Sequence, residues 1–330
     1  MNIPIIDMHC DFLAFVASAT DKEKAITDPL SLCSLPQQKQ GGVTLQILAL
    51  FAITRKGSFK QLEKQFSIYC SLIEKARVDN MHTWKAKSAN HHVGYAIENA
   101  SLLLEENEPI NLLEQRLNHL IDKAGPPAYI SLTWNDENRF GGGNLSTAGL
   151  KEDGKRCLET MAKLSLEKKI AIDLSHTSDA LALGILNYIE TKSLKQLTPI
   201  ASHSNYRAIT DEKRNLPSEI ALEIGKRGGI IGLNFVSRFL GKDPKAFLDH
   251  IGRALELRLE NNIVFGADFF GPVGIASLDD GGPYFFEKFG NSSTYPTMLE
   301  EITSHFDKNL AEKMAWKNGA HFFSKAGLIT

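Results

Sequence analysis

Ile3-Pro4-Ile5-Ile6-Asp7-Met8-His9-Cys10-Asp11 is an apolar run that ends in residues able to bind metal. Short apolar runs bounded by polar residues are what strands buried on both faces of a parallel sheet look like. Four other runs end in the same way. Val93-Gly94-Tyr95-Ala96-Ile97 leads into Glu98, and Ile170-Ala171-Ile172-Asp173-Leu174-Ser175 into His176. Pro199-Ile200-Ala201-Ser202 leads into His203, and Ile263-Val264-Phe265-Gly266-Ala267 into Asp268. In a (β/α)8 barrel, catalytic side chains stand where the strands end, at the C-terminal face. The five runs therefore describe one site.

Working outward, eight strand segments can be counted: Ile3–Met8, Val43–Ala52, Val93–Glu98, Tyr129–Trp134, Ile170–Ser175, Pro199–His203, Gly229–Phe235 and Ile263–Phe269. Between them lie stretches with helical periodicity. Gln61–Asn80 carries Leu62, Phe66, Tyr69, Leu72 and Ile73, and Ile110–Ile121 carries Leu112, Leu113, Leu117 and Leu120. Leu150–Lys168, Asp179–Glu190, Ser218–Arg227 and Pro244–Leu259 follow later strands, with Ser218 as a candidate N-cap. Pro296–Leu328 reads as two helices that close the barrel. Strand and helix in alternation predict an α/β fold, a distorted TIM-like (β/α)8 barrel with parallel strands and outer helices. A dinucleotide-binding open sheet needs a glycine fingerprint after the first strand, where this chain has Asp-Met-His-Cys-Asp. No domain boundary is visible, so residues 1–330 are expected to form a single metal-dependent hydrolase barrel. Gly141-Gly142-Gly143 is a loop on its functional side.

Composition is that of an ordinary soluble protein, 43% hydrophobic and 23% charged. A net charge of −2 with no Lys/Arg-rich block excludes nucleic-acid binding. Cys10, Cys33, Cys70 and Cys157 are scattered and form no CxxC pair, so neither a disulfide framework nor a thiolate zinc site is expected. Cys10 is read as a small buried side chain facing away from its ligand neighbours. No secretory signal stands out, and no run approaches the roughly 18 apolar residues that span a bilayer. The expected setting is the cytoplasm, with no membrane partner. The Asn-x-Ser matches at Asn144 and Asn291 then carry no weight.

His9 and Asp11, two apart on a strand, would share a face. Imidazole nitrogen and carboxylate oxygen suit zinc or a similar divalent ion. Glu98 closes an apolar run, where an unpaired carboxylate is costly. It reads either as hydrogen-bonded to backbone amides or as a bridge between two ions. His176 and His203 each follow Ser at the ends of consecutive strands and would lie side by side. Two divalent ions about 3.5–4 Å apart activate water at neutral pH and polarise a carbonyl. Asp268 is placed to accept a proton and pass it to the leaving amine, or to act as a further ligand or a partner to a ligand His. Arg214, eleven residues beyond His203, suits a substrate carboxylate. Its alternative is a loop-ordering pair with Asp211, Glu212 or Glu219.

Together these stretches resemble the membrane dipeptidase (renal dipeptidase) family of binuclear zinc peptidases. The matching segments include Asp7-Met8-His9-Cys10-Asp11, Gly42-Val43-Thr44-Leu45-Gln46, Glu98, Tyr129-Ile130-Ser131-Leu132-Thr133, Asp173-Leu174-Ser175-His176, Ser202-His203-Ser204, Arg214-Asn215-Leu216-Pro217, Asp249-His250-Ile251 and Gly266-Ala267-Asp268-Phe269. They run in family order over nearly the whole chain. The resemblance implies two zinc ions, one on His9 and Asp11, the other on His176 and His203, with Glu98 between them. It implies that Arg214 binds the terminal carboxylate of a dipeptide, that Asp268 handles the proton, and that the chain can form a homodimer. It also implies substrates that include dipeptides with a C-terminal D-residue.

Two positions depart from the family pattern. Trp134 stands where its best-known members carry a His, and Trp134 and Asn135 are taken as substrate-binding candidates. Phe270 stands where the family usually has Asp. Two other functions fit parts of the pattern: hydrolysis of N-acyl amino acids, lactams or lactones at the same site, and a non-catalytic metal-binding barrel.

Overall fold

The protein is described here by a computed structural model covering residues 3–86, 88, 90–165, 169–271 and 283–329. Eight parallel strands carry the fold: β1 (Ile5–Cys10), β2 (Val43–Phe51), β3 (His92–Glu98), β4 (Tyr129–Ser131), β5 (Ala171–Asp173), β6 (Pro199–Ile200), β7 (Ile231–Leu233) and β8 (Ile263–Phe265). Their spatial order is β6-β5-β4-β3-β2-β1-β8-β7. A bridge between Ala201 and Ile231 joins the two ends, so the sheet curls into the expected barrel. All residues of β1 and β3 are buried, as strands covered on both faces must be. A short extra strand, Asp79–Asn80, pairs with the start of β3.

Helices wrap the outside: α1 (Phe12–Ser18), α2 (Ser58–Glu74), α3 (Asn111–Ala124), α4 (Glu152–Leu164), α5 (Asp179–Thr191), α6 (Ser218–Lys226) and α7 (Ala246–Glu256). Six of these match the periodic segments. α1 is the exception, because it begins directly after the first ligand cluster. α2 ends at Glu74, short of Asn80, and the chain turns into the Asp79–Asn80 strand. Ser218 lies inside α6, with Pro217 at the cap. Residues 166–168, the expected end of the third periodic segment, lie outside the described residues.

Two apolar layers hold the barrel. One fills the space between strands and helices. The other lies inside the barrel and includes Ile6, Met8, Leu45, Ile47, Ala96, Ile200 and Val264. α8 (Tyr295–His305) packs outside, and α9 (Asn318–Lys325) closes the N-terminal end. Its Phe322 and Phe323 join the inner layer with Leu328 and Ile329. With that end plugged, the opposite end is the open mouth. Cys10 belongs to the outer layer, fully buried beside Phe12. Its side chain faces away from His9, and Cys33 donates through Sγ to the Phe269 carbonyl. None of the four cysteines is paired. Among the described residues no helix is long and apolar enough to cross a membrane.

Candidate metal centre

β1 does not carry both of its acidic and imidazole groups as a regular strand would. Its pairing with β2 slips between Asp7 and Cys10, and Asp11 is the N-cap of α1 with φ −91° and ψ 26°. The expected two-residue alternation is therefore absent. His9 and Asp11 still converge, because the slip and the helix start together turn both toward the mouth. Asp7 anchors this turn through Oδ1, which accepts from the Ala267 amide at 3.0 Å. The neighbouring strand ends are drawn in tightly. A Cβ at Gly232 or Gly266 would collide with the Ser202 carbonyl, so only glycine permits this approach.

Three overlapping groups result: His9 with Asp11 and Glu98; Glu98 with His176 and His203; His9 with His203 and Asp268. Within each group the candidate ligand atoms lie within 4.8 Å of one another. Glu98 links the first two groups. Its Oε2 is 3.3 Å from His9 Nε2, and its Oε1 is 3.1 Å from His176 Nε2 and 3.5 Å from His203 Nε2.

The outer hydrogen bonds decide which ring nitrogen faces the centre. Tyr129 donates its hydroxyl proton to the Met8 carbonyl, so its oxygen accepts from His9 Nδ1 at 2.7 Å. Ser202 donates to Asp173 Oδ2, so its oxygen accepts from His203 Nδ1 at 2.7 Å. His176 Nδ1 faces the carbonyl oxygens of Asn135 at 2.9 Å and Asn144 at 3.3 Å. Each ring therefore holds its proton on Nδ1 and turns the Nε2 lone pair inward, the arrangement a ligand histidine needs. Two of those nitrogens, Nε2 of His176 and Nε2 of His203, stand 3.0 Å apart. With both protons on Nδ1 they cannot hydrogen-bond to each other. Two imidazoles on one tetrahedral zinc, each at about 2.0–2.1 Å, would stand about 3.3 Å apart. His9 Nε2, Asp11 Oδ1 and Glu98 Oε2 are buried with no hydrogen-bond partner. Orphaned donor atoms in this number are costly unless a cation satisfies them. The residues present thus fit a pair of divalent ions.

His176 and Asp268 both have left-handed backbone, φ 63° and 61°. Such conformations are uncommon outside glycine and concentrate at functional sites. Asp268 Oδ1 is 3.6 Å from His9 Nε2, while Oδ2 accepts from Asn234 Nδ2 at 2.8 Å. Asn234 is itself held by Asn205, which accepts from its amide and donates to its carbonyl.

Arg214 is buried, and its Nη atoms donate to Ser204 Oγ at 2.7 Å and the His203 carbonyl at 2.9 Å. Its Nε has no partner. Among the described residues it makes no ion pair with Asp211, Glu212 or Glu219, which removes the loop-ordering alternative. Trp134 lies between Phe51 and His176, with ring centroids 5.1 and 5.9 Å away. Asn135 contacts His176, so its side chain orients a ring rather than facing open space.

Sequence reading missed Asp173 and Asn234. Asp173 is fully buried, accepts from Ser131 Oγ, Ser202 Oγ and the amides of Ser175 and Ser202, and so fixes Ser202 against His203. The Ser that precedes His203 was the available signal.

Burial sets the protonation of the centre. It pushes the Glu98 carboxyl up to about 8, against the opposing pull of Arg214. Burial and then Glu98 push Asp11 well above the carboxylate range. Burial holds His176 and His203 well below the usual imidazole value, so both are neutral at pH 7. A divalent ion entering at pH 7 must displace carboxyl protons but no proton from these two rings. Metal titration by calorimetry, in buffers of different ionisation enthalpy, is expected to show release of about one proton or more at pH 7. The share of that release that comes from Glu98 fades as pH rises past its value of about 8. Uptake at pH 7 without proton release would contradict this assignment.

Comparison with known proteins gives a consistent placement. Residues 1–329 match the family model described as membrane dipeptidase (peptidase family M19). An uncharacterised protein from the pqqA 5' region of Klebsiella pneumoniae is 28% identical over 200 residues, covering 56% of this chain and 67% of that protein. Dipeptidase 3 of Mus musculus is 29% identical over 157 residues, covering 48% of this chain but only 29% of that protein. Among solved structures, a metallo peptidase from Rhodobacter sphaeroides liganded with a phosphinate mimic of the dipeptide L-Ala-D-Ala superposes with a TM-score of 0.80. It shares 18% identity, over 98% of this chain and 99% of that one. A metallo peptidase named dipeptidase AC superposes with a TM-score of 0.81 at 19% identity, over 99% of both chains. At these identities the structures speak to the fold.

Proposed function

Because this chain belongs to the membrane dipeptidase family (peptidase family M19), we propose that it is a metal-dependent dipeptidase whose centre holds two divalent ions. One ion would be held by His9 and Asp11, the other by His176 and His203, with Glu98 shared. The observation that carries this reading is the division of Glu98, whose two oxygens face separate imidazole groups. Three nitrogens and a set of carboxylate oxygens suit zinc. When bound, such a pair supplies water activation and carbonyl polarisation at neutral pH.

The remaining work falls to side chains. Asp268 faces the centre through Oδ1 while Asn234 fixes Oδ2. Burial raises it to about 6, which suits a group that takes a proton from water and returns it to the departing amine. Arg214 offers a buried, unpaired Nε–H beside the centre and would bind the terminal carboxylate, limiting substrates to short peptides. Trp134 forms an aromatic wall next to His176. A cytoplasmic setting is proposed on the four unpaired cysteines, all buried.

The test is a panel of L,L and L,D dipeptides assayed with zinc and with manganese, alongside metal content of the purified protein. Turnover that requires metal supports the reading, and none with either ion overturns it. Arg214→Ala is expected to lower kcat/KM on dipeptides by about a hundredfold, the scale of a buried charge-assisted pair, and to change a C-terminal amide far less. Equal losses on both would remove Arg214 as the anchor.

A further inference from the structure

A cavity of about 300 Å³ opens beside the candidate centre, on the side away from Arg214. Asp11 forms its inner end, so the cavity and the proposed metal site share a residue. Its walls come from three barrel elements: Ala14 of α1, Phe51 at the end of β2, and Phe270 beyond β8. The room exists because α1 presents small residues, Ala14, Ala17 and Ser18, along one face at helical spacing. At the outer rim stand Arg55 and Lys64. Both are exposed, and neither forms an ion pair among the described residues. Among the described residues Asp11 is the one acidic residue that lines the cavity, and its carboxyl also belongs to the candidate metal group with His9 and Glu98.

The direction across the mouth follows from strand order. Arg214 stands on the loop after β6, and the cavity lies at β1 and β2, on the far side of the barrel. A dipeptide with its carboxylate on Arg214 and its peptide bond at Glu98 turns its first residue toward β1 and β2. We propose that this cavity is the pocket for the first residue's side chain, and that Arg55 and Lys64 make it select an acidic one. The proposal rests on the dipeptidase reading. An apolar wall near Asp11 takes the methylene stem, and the two cations meet the carboxylate at the rim.

The test compares glutamate with glutamine as the first residue of otherwise identical dipeptides, a pair equal in size that differs only in charge. The kcat/KM for the glutamyl substrate is expected to exceed that for the glutaminyl one by roughly five- to tenfold, the scale of two solvent-exposed ion pairs. The preference shrinks at high salt, as screening requires. In the double variant Arg55→Glu, Lys64→Glu the ratio within that variant is expected to fall below one. A wild-type ratio of one or less overturns the pocket assignment while leaving dipeptidase activity standing. A preference that survives the double variant overturns the roles of Arg55 and Lys64. Absence of turnover on any dipeptide overturns both this proposal and the activity on which it rests.

Discussion

Glu98→Gln is expected to cut metal content from the proposed two ions per chain toward one and to lower kcat by well over a hundredfold. Mutating groups that merely support ligands costs about 10- to 100-fold in metal affinity or activity, and Glu98 stands between both candidate ion positions. The substitution leaves shape intact and removes one charge. It is also mild to the metal-free fold. With its carboxyl raised to about 8, wild-type Glu98 is mostly protonated at pH 7, and glutamine resembles that neutral form. Melting temperatures of the metal-free proteins should therefore be close. Addition of zinc should raise the wild type by several degrees, since a ligand that binds only the folded state stabilises it, and raise the variant much less. Two ions retained with near-normal turnover would remove Glu98 as the bridge.

The position of Glu98 between separate imidazole groups depends on geometry that the sequence does not display. The strand ends at Glu98, His176, His203 and Asp268 were legible because a buried parallel strand must be apolar until it leaves the barrel. The first polar residue is then at the mouth. The fold was legible for the same reason, repeated eight times. What stayed hidden depends on long-range partners. Tyr129, which sets the His9 tautomer, is 120 residues away in the chain, and nothing local to either marks the pairing. Asp173 reads as part of a strand, yet four donors converge on it from three segments. Asp11 reached the expected place by an unexpected route, through a slipped register and a helix start. Period-2 reasoning assumes an unbroken pleat and cannot see a bulge. α1 was missed because it is short and follows the ligand cluster without a turn residue.

Asp268→Asn is expected to reduce kcat by about 10²- to 10⁴-fold, the usual contribution of a positioned proton carrier, while both ions remain bound. Asparagine is the informative choice for three reasons. It tolerates the left-handed backbone at this position, φ 61°, better than most residues do. Its side-chain oxygen can accept from Asn234 Nδ2, as Oδ2 does now. It cannot take up a proton. The same carboxylate also lies in a possible ligand group with His9 and His203, so the variant separates two roles. If Asp268 binds an ion, metal content falls together with activity. If it carries the proton, metal content holds and the acid limb of the pH–rate profile changes. For the wild type the sign is set by a carboxyl raised to about 6. Activity that needs its ionised form is lost as pH drops through that value and is full above it. In Asp268→Asn the residual rate should lose this inflection. Near-normal turnover with the inflection intact would place the proton acceptor elsewhere.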